Sequence, residues 1–157
     1  MGTPEWTELQ VHGMRLPTLV CGPEDGPLVL LLHGFPDHPE SFAPLLHALA
    51  DAGYRAVAPT ARGYVPSALA PDGDYRLETL ARDAVGCLDA LGACRAHLFG
   101  HDWGAVVAHT AGALHPDRFA SLTTVAVPHL ARLPRALPRL PGVLLDTWYQ
   151  SFFQIPW

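Results

Sequence analysis

The chain has no lysine and no asparagine, and all ten of its cationic side chains are arginine. Together these absences read as the mark of a GC-rich coding sequence and say little about chemistry. Positive charge is scarce as a whole. Ten arginines stand against fifteen acidic residues, for a formal net charge of −5, and no basic run of five or six occurs. That balance argues against a nucleic-acid partner and equally against an anionic membrane surface. Cysteine is also sparse. Cys21, Cys87 and Cys94 are odd in number and form no Cys-x-x-Cys pair, which argues against a disulfide framework or a zinc ribbon and leaves buried thiols as the reading. Long apolar runs are missing too. The longest purely aliphatic stretch, Leu28 to Leu32, has five residues, whereas a bilayer span needs about 20. The opening Met1-Gly2-Thr3-Pro4-Glu5-Trp6 has neither a basic start nor an apolar h-region, so a cytoplasmic location is the expectation. No repeat of 20–50 residues is visible.

What is present is a chain of 157 residues, 49% hydrophobic and 16% charged, enough for one packed domain. Trp6–Val11 and Met14–Cys21 read as a hairpin around His12-Gly13. Leu28–Leu32 suits a strand covered on both faces. Ser41 is placed to cap a helix running to Asp51, with Pro44 in its first turn and Gly53 ending it. Arg55–Ala58 is a strand, and Thr60–Asp74, with two prolines and two glycines, is a loop. Leu77, Leu80, Ala81, Ala84, Val85, Leu88 and Leu91 follow helical spacing up to Gly92. A strand over Ala96–Phe99, a helix over Trp103–Leu114 and a strand over Leu122–Val127 follow. Residues 128–141 hold four prolines and three arginines (Arg132, Arg135, Arg139), and Leu144–Phe153 begins another helix that looks cut short. Alternating strands and helices imply an α/β fold: a mostly parallel sheet with helices on both faces and ligands beyond the carboxyl ends of its strands.

Two loops occupy that address. Gly100-His101-Asp102-Trp103-Gly104 joins a strand directly to a helix in the frame Gly-x-nucleophile-x-Gly, the nucleophile elbow. The turn is sharp, so the flanking residues must be small, and the central side chain is presented over a helix start. Here that residue is Asp102. A serine at this place needs a base. A carboxylate, with a reference pKa of about 4, is already ionised at neutral pH and can attack an sp³ carbon to form an ester. His33-Gly34-Phe35-Pro36 follows the aliphatic strand, where a loop supplies one oxyanion N–H; the second donor is the N–H after the nucleophile. Bland readings stand beside these. Asp102 could be an ordinary helix N-cap, Trp103 a packing residue and Phe35 a core aromatic. His33, Asp37, His38 and His47 fit no standard metal spacing.

With both motifs in place, the sequence resembles the epoxide hydrolase branch of the α/β-hydrolase fold, the hydrolases that use an Asp nucleophile. Arg62-Gly63-Tyr64, followed by Ser67, is similar to the family's loop after its next strand. Residues 28–127 follow its order of elements. The resemblance implies residues 1–127 as the N-terminal part of the α/β-hydrolase core and 128–157 as the start of a helical cap, truncated before the last strands. It implies Asp102 as nucleophile, Phe35 and Trp103 as oxyanion donors, and His33, Gly34, Pro36, Gly100, His101 and Gly104 as the supporting motif, with a cis Phe35–Pro36 bond. The substrate would be a small apolar epoxide or related electrophile, opened through an ester on Asp102 and released as a diol. No metal and no cofactor are implied.

Haloalkane dehalogenases resemble the chain in the Asp-Trp pair, but usually carry a polar residue where Phe35 stands; a dehalogenase with the same nucleophile is the runner-up. Fluoroacetate-type dehalogenases resemble Asp-Arg at the elbow, which Trp103 does not match. The family's hydrolytic His, the acid that orients it and the cap tyrosines would lie beyond Trp157, so the 157 residues alone are not expected to turn over fully. His129, Tyr64 and Tyr149 are weak substitutes. A third reading is a non-catalytic fragment or split-gene partner. Its last strand would be an exposed edge, self-associating or pairing with a missing C-terminal half.

Overall fold

The structure, a computed structural model, describes residues 2–65, 68–129 and 131. Backbone contacts divide the chain into two units, Met1–Val127 and Pro128–Trp157. The expected helix over Leu144–Phe153, Tyr149 and the arginines at 132, 135 and 139 lie outside the described residues.

The first unit is one six-stranded sheet in the order β1-β2-β4-β3-β5-β6. Its strands are β1 (Glu5–Val11), β2 (Met14–Cys21), β3 (Leu28–Leu32), β4 (Arg55–Pro59), β5 (Ala96–His101) and β6 (Phe119–Val125). The helices are α1 (Ala43–Asp51), α2 (Leu77–Ala90) and α3 (Trp103–Leu114). β1 and β2 pair in antiparallel fashion and β2 joins β4 the same way, while β3–β4, β3–β5 and β5–β6 are parallel. The hairpin closes through His12 (φ +47°) and Gly13 (φ +79°), the two positive φ values that a turn matching strand twist demands.

The unbroken aliphatic β3 is explained by its central place. Leu28 and Leu30 pack with β1, β2, α2 and α3 residues on one face; Val29 and Leu31 pack with Phe42 and Leu46 on the other. A strand with no solvent face has no polar alternation.

Several expected boundaries shift. Ser41 caps no helix: its hydroxyl donates to the Asp37 carboxylate at 2.8 Å, and Pro39–Phe42 forms a separate 3₁₀ turn before α1 starts at Ala43. β5 runs on through Gly100 to His101 because those residues keep pairing with Leu32 and with Thr124 and Val125. β6 begins at Phe119, handed straight from the Pro116–Arg118 turn into register with Ala96, and ends at Val125 because Ala126 adopts φ +72°. β6 is the edge of the described sheet, with Leu122 and Val125 at 40% and 45% exposure. Among the described residues no helix is long and apolar enough to cross a membrane.

Candidate active site

Asp102 is the whole connection between β5 and α3. Its backbone sits at φ +54° and ψ −120°, a conformation that costs a non-glycine residue on the order of 1–3 kcal/mol. Close approach explains the neighbouring glycines. A Cβ at Gly100 would lie 2.4 Å from the Gly104 carbonyl oxygen, and one at Gly104 only 2.0 Å from that of Leu32. Position 102 is formally the N-cap of α3, yet its side chain makes no capping hydrogen bond. Instead Oδ1 accepts the Phe35 N–H at 2.9 Å. Gly34 makes room for this contact, since a Cβ there would lie 2.4 Å from Asp102 Cβ. The Phe35–Pro36 bond is cis.

Trp103 is the first residue of α3, so its N–H has no acceptor within the helix. Both aromatic rings beside the carboxylate face solvent: Phe35 is 52% exposed and Trp103 49%, so Phe35 is not a core aromatic. His101 ends β5 half-buried, opposite Val125, and the Asp102 N–H donates to the Val125 carbonyl at 3.2 Å. The elbow is therefore tied to β6 as well as to β3.

His33 is buried and holds two loops together. Its Nε2 accepts the Ala61 N–H at 2.9 Å, which puts the proton on Nδ1, 3.0 Å from the Gly34 carbonyl oxygen. Burial holds the imidazole below its ordinary range against the smaller opposing effect of Gly34. The unfolded chain therefore binds this proton more readily than the folded one. His33 contributes stability that is full above about pH 6.5 and drains as pH falls through the lowered folded value. Urea unfolding from pH 7.5 to 5 should show that decline, with a smaller slope in His33→Gln.

The Tyr64 ring packs edge-on against His33, centroids 4.7 Å apart. Burial, with the negative charges of Asp102 and Asp37, raises its phenol, which stays a neutral proton donor. Asp37 accepts from Ser41 and from the His38 N–H and so braces the same loop. Among the described residues no group of three or more metal-ligating side chains assembles.

One cluster was not visible in the sequence. The Arg62 guanidinium, almost fully buried, makes two hydrogen bonds to Asp83, at 2.5 Å and 2.7 Å. It gives a third to the Asp74 carbonyl at 3.0 Å, and His12 Nδ1 lies 2.8 Å from Asp83 Oδ1, the oxygen that also accepts from Arg62 Nη2. The cluster pins the loop after β4 and the first hairpin to α2. A signal existed: Asp83 falls on the apolar stripe set by Leu80, Ala84 and Cys87, where a charge needs a partner. Arg62→Ala strands a buried carboxylate and should lower the unfolding free energy by about 3–5 kcal/mol. Arg62→Met with Asp83→Leu should recover most of it, both readable by urea denaturation.

A cleft of about 260 Å³ is lined in part by Phe35, Trp103 and Gly104, the neighbours of Asp102, though not by Asp102 itself. Phe35, Tyr64, Tyr75 and Trp103 form its exposed rim; Leu16, Ala84, Cys87 and Val107 are buried along its floor. An acidic side chain on a strand-to-helix elbow, braced by a loop N–H, is an arrangement suited to nucleophilic attack. A family described as alpha/beta hydrolase fold matches residues 27–156. The chain belongs to that family. Within the α/β-hydrolase fold it resembles epoxide hydrolases. It is 43% identical to "Epoxide hydrolase A" of Mycobacterium tuberculosis (strain ATCC 25618 / H37Rv), over 99% of this chain and 48% of the relative. It is 40% identical to "Epoxide hydrolase 3" of Siraitia grosvenorii, over 97% and 48%. The crystal structure of epoxide hydrolase A from Mycobacterium thermoresistibile matches 89% of this chain and 46% of its own, at 39% identity and a TM-score of 0.76. The chain thus spans about half the length of the α/β-hydrolases it matches.

Proposed function

We propose that this chain carries the nucleophile half of an epoxide hydrolase acting in the cytoplasm, with Asp102 as the attacking residue. One observation carries the reading. The Asp102 side chain leaves its helix uncapped and is held by the Phe35 N–H at the top of a strained elbow. Oδ1 is the oxygen so held, which leaves Oδ2 to attack an epoxide carbon. The ring C–O bond breaks, the alkoxide oxygen so formed takes a proton from solvent water, and Oδ1 becomes the carbonyl oxygen of the ester. Water attacking that ester places negative charge on Oδ1, which the Phe35 N–H holds and which the Trp103 N–H would join in stabilising. One such donor is worth about 10²–10³ in rate. The reading calls for no metal and no cofactor. Apolar Phe35 gives a departing halide no hydrogen bond beyond its backbone, which favours an epoxide over a halide substrate.

The test is an intact mass spectrum after incubation with methyloxirane. The expected result is an adduct on the 16.9 kDa chain that maps to Asp102 and persists, distinguished by peptide mapping from alkylation of the exposed Cys94 thiol. An unlabelled chain would sink the reading. Halide release from a chloroalkane without any epoxide adduct would replace it with a dehalogenase.

The exposed β6 edge supports a companion reading. Leu122 and Val125 on a pairing-competent edge suit the addition of a strand from the polypeptide that completes the longer relatives. Without that polypeptide the edge should drive self-association that rises with concentration in sedimentation and weakens in Leu122→Lys. A monomer at every concentration would remove this reading.

A further inference from the structure

We propose that His33 is a positioning residue for the oxyanion donor, holding and polarising the Gly34–Phe35 peptide through its Nδ1–H. The inference rests on the reading of Asp102 as nucleophile and names what sets the strength of the N–H beside it. One peptide unit carries both contacts. Its carbonyl oxygen, on Gly34, lies 3.0 Å from His33 Nδ1, and its N–H, on Phe35, donates to Asp102 Oδ1 at 2.9 Å. In a trans peptide those two groups point opposite ways, so His33 and Asp102 grip the unit from its two sides.

The proton on the neutral ring has one place to go. The Ala61 N–H is a donor only, and it meets Nε2 at 2.9 Å, so Nδ1 carries the hydrogen. The side chain is buried, which keeps the ring neutral and shields its bond to the Gly34 carbonyl from bulk water. The Asp37 N–H also donates to that carbonyl, at 3.1 Å, and pulls in the same sense. A hydrogen bond accepted at the oxygen of an amide makes its N–H a stronger donor, by about 10–30% per link. The links here run from Ala61 through the imidazole and the Gly34–Phe35 amide to a carboxylate. A tie between the two loops needs only the Ala61 bond; the second bond of the ring is aimed at the donor peptide. Its benefit falls on ester release, where charge returns to Oδ1, and not on ring opening, where charge leaves the carboxylate.

Two substitutions separate the two bonds of the ring. His33→Gln can present Oε1 to the Ala61 N–H and leaves the Gly34 carbonyl without its side-chain donor. His33→Asn can present Nδ2 to that carbonyl and leaves the Ala61 N–H without its acceptor. Hydroxylamine added to the methyloxirane-labelled chain reads the release step. Its nitrogen bonds to the ester carbon, the ester C–O bond breaks, and the departing diol oxygen takes the proton. In His33→Gln, release should slow about tenfold relative to labelling, a part of the 10²–10³ that losing a whole donor costs. The Phe35 amide proton of the unlabelled variant should move upfield in a heteronuclear spectrum. His33→Asn should keep both readings nearer the parent chain while being no more stable in urea. A release-to-labelling ratio and a Phe35 amide unchanged in His33→Gln overturn the proposal. So does a ratio that falls equally in both variants in step with their stability. If neither variant folds, the ring nitrogen shifts of the parent chain decide: a bare Nδ1 and a protonated Nε2 overturn it as well. The tautomer and the amide shift need no epoxide, so a chain that methyloxirane leaves unlabelled, with both as expected, sinks the epoxide reading and leaves the grip of His33 on the peptide standing.

Discussion

Asp102→Ala should abolish epoxide labelling, lowering the rate of adduct formation by at least about 10³-fold, because no neighbouring group replaces the attacking oxygen. Asp102→Asn sharpens the test. The amide oxygen still accepts the Phe35 N–H, so the loop contact persists while the nucleophile is lost. Its stability should change by no more than about 1 kcal/mol, chiefly from removing a negative charge beside the N-terminus of α3. Labelling that survives in Asp102→Asn would move the nucleophile elsewhere. A third substitution reads the backbone. At φ +54° a side chain is costly and glycine is not, so Asp102→Gly should be more stable than Asp102→Ala by about 1–2 kcal/mol. That order reverses the usual ranking of the two residues in a regular helix. Equal stabilities in chemical denaturation would mean the elbow is not held in this conformation.

Gly104→Ala should be among the most damaging single methyls at the described glycines. The added carbon would sit 2.0 Å from the Leu32 carbonyl oxygen, 2.5 Å from its carbon and 2.7 Å from the His33 oxygen. All three are backbone atoms of the central strand and the loop after it, so no rotamer change relieves the clash. α3 must lift from β3, carrying the Trp103 N–H and Asp102 away from Phe35. The expected loss is about 3 kcal/mol or more in urea denaturation, with labelling falling together with it. Gly112, two turns along the same helix, supplies the control. A Cβ there would meet only Leu122 Cδ2 at 3.4 Å, so Gly112→Ala should be neutral or gain up to about 1 kcal/mol. If the two substitutions cost the same, close packing at the elbow is not what fixes Gly104.

Legibility in the sequence followed distance along the chain. The elbow was readable because its demands are local: two glycines around one strained residue, between a strand and a helix. The β3 strand was readable because burial on both faces leaves an unbroken aliphatic run. The Phe35–Asp102 hydrogen bond spans 67 residues, and only the pairing of two separate motifs hinted at it. The Arg62–Asp83–His12 cluster was missed for the same reason. Asp83 lies 21 residues from Arg62 and 71 from His12, and those two, in a loop and a turn, carry no local mark of burial; only Asp83, on the apolar stripe of α2, does. Ser41 misled in the opposite sense. Its residue type suits a cap, but Pro39–Phe42 closes into a 3₁₀ turn, so α1 starts only at Ala43 and its N-cap position falls on Phe42.

The order of strands in the sheet also sets a timetable for synthesis on the ribosome. The β1–β2 hairpin is made first, but its place in the sheet is reached only through β4, with Thr18 opposite Pro59 and Cys21 opposite Ala56. At translation speeds of about 5–20 residues per second, roughly 2–8 s separate the emergence of Cys21 from that of Pro59. For that interval β2 has one unpaired side and its apolar face is bare. Until β4 emerges this hairpin is therefore open to misassociation, and crowding by neighbouring ribosomes on one message acts on it before any part of the β5–α3 elbow exists.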